Sequence, residues 1–80
     1  MNIFKQGDRV TLTRRSRGGR VFTLTGTLTS VSYVDGELSS GAIHGRAAGK
    51  PEHSHFDLAG GRMLRLYGVT QTLTHAEVQL

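Results

Sequence analysis

Eighty residues with 36% apolar side chains make one domain, 1–80, with a thin core, since a chain this short buries only about 60–65% of its unfolded surface. The absence of cysteine excludes disulfides and thiolate metal sites and fits a reducing compartment. Ten Lys and Arg against six Asp and Glu give a net charge of +4, which points to nucleic acid, an acidic protein surface or a phosphorylated ligand. No apolar run approaches the roughly 18 residues of a membrane span. Met1 to Phe4 run at once into Lys5 and Gly7-Asp8, which is not a leader pattern. The expected location is therefore cytoplasmic. Eleven glycines raise the entropy cost of folding, so a homo-oligomer with a shared core is expected as relief.

In chain order, residues 1–8 read as a lead-in closed by the turn dipeptide Gly7-Asp8, with Ile3 and Phe4 able to pack beneath it. Residues 9–13 alternate, Val10 and Leu12 on one face and Thr11 and Thr13 on the other, which predicts a strand. Arg14 to Gly19 follow as a basic connection. Residues 20–34 carry the longest strand signal. Phe22, Leu24 and Leu28 share one face with Gly26 between them, and Thr23, Thr25, Thr27 and Thr29 share the other. The apolar phase then switches to Val31 and Tyr33. A period-2 pattern that changes parity needs an extra residue, so a bulge is expected near Thr29 to Val31, with Val31 buried beside Leu24 and Leu28. Gly26 permits strong local coiling.

Asp35-Gly36 is the strongest hairpin signal in the chain. Glu37 to His44 predicts a weak strand. Gly45 to Glu52, polar and glycine-rich with the sole proline, predicts a long loop, and the whole of Gly41 to His55 is expected to be mobile. A short strand is expected over His53 to Leu58, a turn at Ala59-Gly60-Gly61 and a strand over Arg62 to Val69. Thr70 to Thr74 either continues that strand or forms another, and Ala76, Val78 and Leu80 alternate in a final one. No stretch shows a 3.6-residue period. The fold class is all-β, a small SH3-like barrel of five to six antiparallel strands with a long glycine-rich loop. Thr-Leu-Thr occurs at 11–13, 23–25, 27–29 and 72–74, which reads as ordinary β-propensity on a solvent face.

The functional clue is charge placement. Residues 14–20 hold four of the ten Lys and Arg, and no acid lies between Asp8 and Asp35. Arginine forks bind phosphate oxygens, and glycine lets a backbone approach closely. Arg9, Arg14, Arg15, Arg17 and Arg20, with Arg62 and Arg65 if the strands neighbour, form the candidate nucleic-acid-binding set. The same arginines also suit a solvated turn that keeps a sheet edge soluble. Sparse aromatics argue against a stacking platform and for duplex backbone contact. His53 and His55 share a face when extended, Asp57 continues it, and His44 is a third candidate. The set matches no zinc signature and reads as surface histidines. Serines and carboxylates show no catalytic spacing, so neither enzyme activity nor a cofactor is expected.

Lys5-Gln6-Gly7-Asp8-Arg9-Val10 followed by Gly26-Thr27-Leu28-Thr29-Ser30-Val31 resembles the opening of SH3-like barrels, KOW-type domains among them. That resemblance covers residues 5–34 and implies a small barrel and nucleic-acid or ribosome binding. Gly7 to Val10 is also similar to the plasmid-borne type II dihydrofolate reductases, which build one pore from four subunits. Leu64-Arg65-Leu66-Tyr67 stands where that family has Val-Gln-Ile-Tyr, with arginine replacing glutamine. The leading expectation is a non-catalytic basic module that contacts nucleic-acid phosphates. The alternative is an accessory or inhibitor protein of a phage, plasmid or gene cassette with an acidic protein partner, and an oligomeric reductase stands third.

Overall fold

The computed structural model describes residues 3–47, 49–58, 65 and 68–76. Five strands, β1 (Arg9–Arg15), β2 (Val21–Val34), β3 (Glu37–Ala47), β4 (Lys50–Asp57) and β5 (Thr70–His75), form one antiparallel sheet in the order β4-β3-β2-β1-β5. Alternation along β1 and β2 sends Val10, Leu12, Leu24 and Leu28 to one face, where they are buried with Ile43, Phe56 and Leu73. Phe4, Leu38 and Leu58 pack at the margin of this cluster. Threonines line the opposite, outer face.

The turns follow local chemistry. Arg17 to Gly19 make a three-residue hairpin connection, closed by the Ser16 amide on the Arg20 carbonyl at 2.9 Å, with Gly19 at a φ of 86°. Asp35 and Gly36, at φ 53° and 79°, form the two-residue turn in which both central residues are left-handed. In the lead-in, the Lys5 amide donates to the Asp8 carboxylate at 3.0 Å. This hydrogen bond, assisted by the His75 imidazole, holds the Asp8 carboxyl below its usual range. The contribution of Asp8 to stability is therefore present above its unfolded pKa and lost as pH falls below it. The Gly7 amide and the Asp8 carbonyl then bond the backbone of Leu28, fastening the lead-in to β2.

The expected bulge is present. Leu28 pairs with Ile43 but Ser30 pairs with Ala42, so Thr29 is the extra residue and Val31 returns to the core face. Val31 is only half-buried there, because it pairs with Gly41, which offers no side chain to cover it. A second shift, between Ser32 and Tyr33, leaves Ser39 as the extra residue on β3 and keeps Tyr33 on the core side. The Tyr33 hydroxyl accepts from the Phe4 amide at 2.8 Å and donates to the Phe4 carbonyl at 2.9 Å, and the Phe4 ring stacks on His75 at 4.2 Å.

The sheet is sharply coiled where β2 meets β3. Gly26 pairs with Gly45, and a Cβ on Gly26 would strike the His44 carbonyl oxygen, as one on Gly45 would strike that of Thr25. Gly41 makes room in the same way for the Phe56 ring. No backbone ladder joins β4 to β5 among the described residues, but two side chains cross from the β1/β5 side to β4. Arg14 donates through Nη2 to the Ser54 hydroxyl at 2.8 Å and the His55 carbonyl at 2.9 Å, and through Nε to Gln71 at 3.1 Å. The Gln71 amide reaches the Asp57 carbonyl at 3.3 Å.

Two expectations need correction. The long loop over Gly45 to Glu52 is instead the tip of the β3–β4 hairpin, with Gly45 opposite Glu52, Arg46 opposite Pro51 and Ala47 opposite Lys50. Its glycines are used for the approach to β2 and, at Gly49, for a left-handed turn. Pro51 is tolerated because β4 is an edge strand. Secondly, Arg14 and Arg15 belong to β1 rather than to the turn. Of the two alternatives expected for Thr70 to Thr74, the second holds, since Thr70 begins a strand of its own. The strand expected over Arg62 to Val69 lies mostly outside the described residues, although Arg65 is helical and Gly68 and Val69 are in no strand. The turn at 59–61 and residues 77–80 of the final strand also lie outside them.

Gly26→Ala is expected to destabilise the fold by about 1–3 kcal/mol or more, because backbone must move to admit the methyl group. Leu28→Ala is expected to cost about 2–4 kcal/mol, read by chemical denaturation alongside the first variant. Amides of residues 45–47, 50 and 52 that face a ladder partner should exchange slowly compared with Arg17 to Gly19, a contrast that hydrogen-exchange mass spectrometry measures.

Candidate nucleic-acid interface

The outer face carries the candidate site. Register and alternation place Arg9, Thr11, Thr13 and Arg15 outward on β1, and Thr23, Thr25 and Thr27 outward on β2. Thr70, Thr72 and Thr74 stand outward on β5. The hydroxyls of Thr11 and Thr25 lie 3.0 Å apart across the ladder. None of the three strands contains an Asp or Glu. The field they present is therefore mainly hydroxyl and guanidinium, with the exposed Val21 opposite Arg15 at its edge.

The sequence-derived arginines separate into distinct roles. Arg9, Arg15, Arg17 and Arg20 are exposed, and none has a side-chain hydrogen bond or ion pair among the described residues. Arg15, Arg17 and Arg20 cluster at the hairpin tip, where the Arg17 side chain lies against Gly68. Arg9 stands six residues along β1 from Arg15, about 20 Å at a strand's rise per residue. Arg14 is different. It is half-buried, three of its hydrogen bonds go to protein partners, and its guanidinium lies 5.5 Å from the Phe22 ring centroid. Its charge is committed to holding β1 and β5 to β4. Arg65 is exposed, and Arg62 lies outside the described residues.

A hollow of about 360 Å³ opens on the outer face beside Arg9, between two cross-sheet rows. One row runs Thr25, Arg46, Pro51, the next Arg9, Thr27, His44, His53. The His44 and His53 rings are stacked, with centroids 4.2 Å apart and planes 9° from parallel. Sequence reading placed His53 and His55 on one face, as found, but missed that Arg46 and His44 flank Arg9. The missing signal was the β2–β3 register. Among the described residues no three His, Cys, Asp or Glu side chains group as metal ligands would, and no helix is long and apolar enough to cross a membrane.

The described aromatic rings are spent elsewhere. Phe56 is buried, Phe4 covers His75, Tyr33 holds Phe4 and Phe22 underlies Arg14. Apart from the imidazoles of His44, His53 and His55, no ring among the described residues stands on the outer face on which a base could stack. No protein-family model, curated protein or solved structure matches the chain.

Arg14→Ala is expected to lower stability by about 1.5–3 kcal/mol, since it removes charge-assisted hydrogen bonds and strands Gln71. Arg17→Ala should change stability by less than about 0.5 kcal/mol. Paired denaturation curves check the contrast, and equal curves would show that the Arg14 bridge contributes nothing.

Proposed function

We propose that this chain is a non-catalytic basic module that binds the phosphate backbone of nucleic acid across the outer face of β1 and β2. The carrying observation is a face whose strands β1 and β2 contain no carboxylate, with exposed arginines at both ends, Arg9 at one and Arg15, Arg17 and Arg20 at the other. The span of about 20 Å covers roughly six phosphates of one strand at 3.4 Å each. Threonine hydroxyls in between suit hydrogen bonding to phosphate and sugar oxygens. The sparseness of outward aromatic rings among the described residues favours a duplex over a splayed single strand. The opening that resembles KOW-type SH3-like barrels, Gly7 to Val10 and Gly26 to Val31, supports the same ligand class.

A second reading has its own observation. Val21 and Phe22, 53% and 36% exposed, flank a hollow of about 240 Å³ beside Arg20. An apolar anchor rimmed by arginine suits an acidic protein partner.

Binding to a random-sequence duplex should weaken with salt at a slope of log K against log salt near −3.6, the value for about four neutralised phosphates. The double variant Arg15→Ala/Arg17→Ala should reduce that slope by about 1.8 with the fold intact. Fluorescence anisotropy over a salt series measures both. An unchanged slope in the double variant would remove the reading, and binding to an acidic protein but to no duplex would favour the second.

A further inference from the structure

We infer that the outer-face hollow beside Arg9 is a site for a terminal phosphate, so that the module grips the phosphorylated end of a nucleic acid; this rests on the nucleic-acid reading above. The hollow, of about 360 Å³, is large enough for a phosphate and part of its sugar and too small for a duplex. Its floor is the backbone of Gly26 and Gly45, where neither residue contributes a side chain. Its walls are Arg9, Thr25, Thr27, His44, Arg46 and Pro51. Among the described residues that lining holds two guanidinium groups, an imidazole and two hydroxyls, and no carboxylate.

The chemistry selects for the end of a chain rather than its middle. A phosphodiester carries one negative charge and two unesterified oxygens. A phosphomonoester carries about −1.5 to −2 at pH 7 and three acceptor oxygens. Two arginines from different strands approach the hollow from different sides, Arg9 from β1 and Arg46 from β3. Guanidinium forks of this kind satisfy several oxygens at once. The Arg46 guanidinium is only loosely held, 3.4 Å from the Gly49 carbonyl, so it can turn to a ligand at little cost. The stacked His53 ring fixes the plane of the His44 imidazole. Arg9 would thus serve both the backbone path and its terminus, while His44 and Arg46 act only at the terminus.

The test compares 16-base-pair DNA duplexes identical except for their ends, carrying a 5′-phosphate, a 3′-phosphate or hydroxyls only, by fluorescence anisotropy at pH 7. The wild-type protein should bind a phosphate-ended duplex at least fivefold more tightly than the hydroxyl-ended one. Arg46→Gln and His44→Gln should erase that preference while changing affinity for the hydroxyl-ended duplex less than twofold. Arg15→Ala should weaken all three duplexes alike and keep the preference. Equal affinity of wild-type protein for all three overturns the terminal-phosphate site and leaves backbone binding standing. A preference that survives both Arg46→Gln and His44→Gln overturns it too. Failure to bind any of the three overturns both readings.

Discussion

The approach of β2 to β3 at Gly26 and Gly45 is the constraint from which the other features follow. A sheet with one apolar face gains stability only by hiding that face, and coiling brings Leu12, Leu24 and Ile43 of three different strands into one cluster. Two facing glycines let the backbones come closer than any side chain would allow. The bulge at Thr29 then keeps the continuing strand in phase with the curved core. With one face turned inward, the other is left to solvent over β5, β1 and β2. Its threonines suit a strand surface that has no packing to do.

Curvature also explains why one arginine among several is structural. Coiling brings β4 toward the β1/β5 side, and Arg14 fills the seam with hydrogen bonds that a shorter side chain would not span. Its neighbours one position along, Thr13 and Arg15, point the opposite way. The result is a rigid base for the exposed arginines. Arg9 and Arg15 are held on a central strand paired on both sides, so their separation is set by β-geometry rather than by a flexible loop. As the proposed binding surface, a face fixed in this way would lose less freedom on meeting a ligand.

Much of this was legible in the residues. The change of parity after Leu28 signalled the bulge, Asp35-Gly36 marked its turn, and Gly18-Gly19 marked the hairpin tip. Arg14 was legible too: the alternation that sends Val10 and Leu12 inward sends Arg14 inward as well, but its charge drew it into the turn. The β3–β4 hairpin tip was misread because glycine and proline usually mark loops. Here Gly45 answers to Gly26, almost twenty residues away, and Pro51 to an edge strand, and neither partner is visible locally. The hollow around His44 and Arg46 was hidden for the same reason, since it exists only once β2 and β3 are in register.

The most direct test of the central claim, that the outer face of β1 and β2 is the ligand surface, is an amide chemical-shift titration of the labelled protein with a short duplex. The largest shifts should fall in Arg9 to Arg15 and at the hairpin tip, Ser16 to Arg20, while Tyr33 to Ser39 stay in place. Shifts confined to the Asp35-Gly36 end, or spread evenly over the chain, would contradict it.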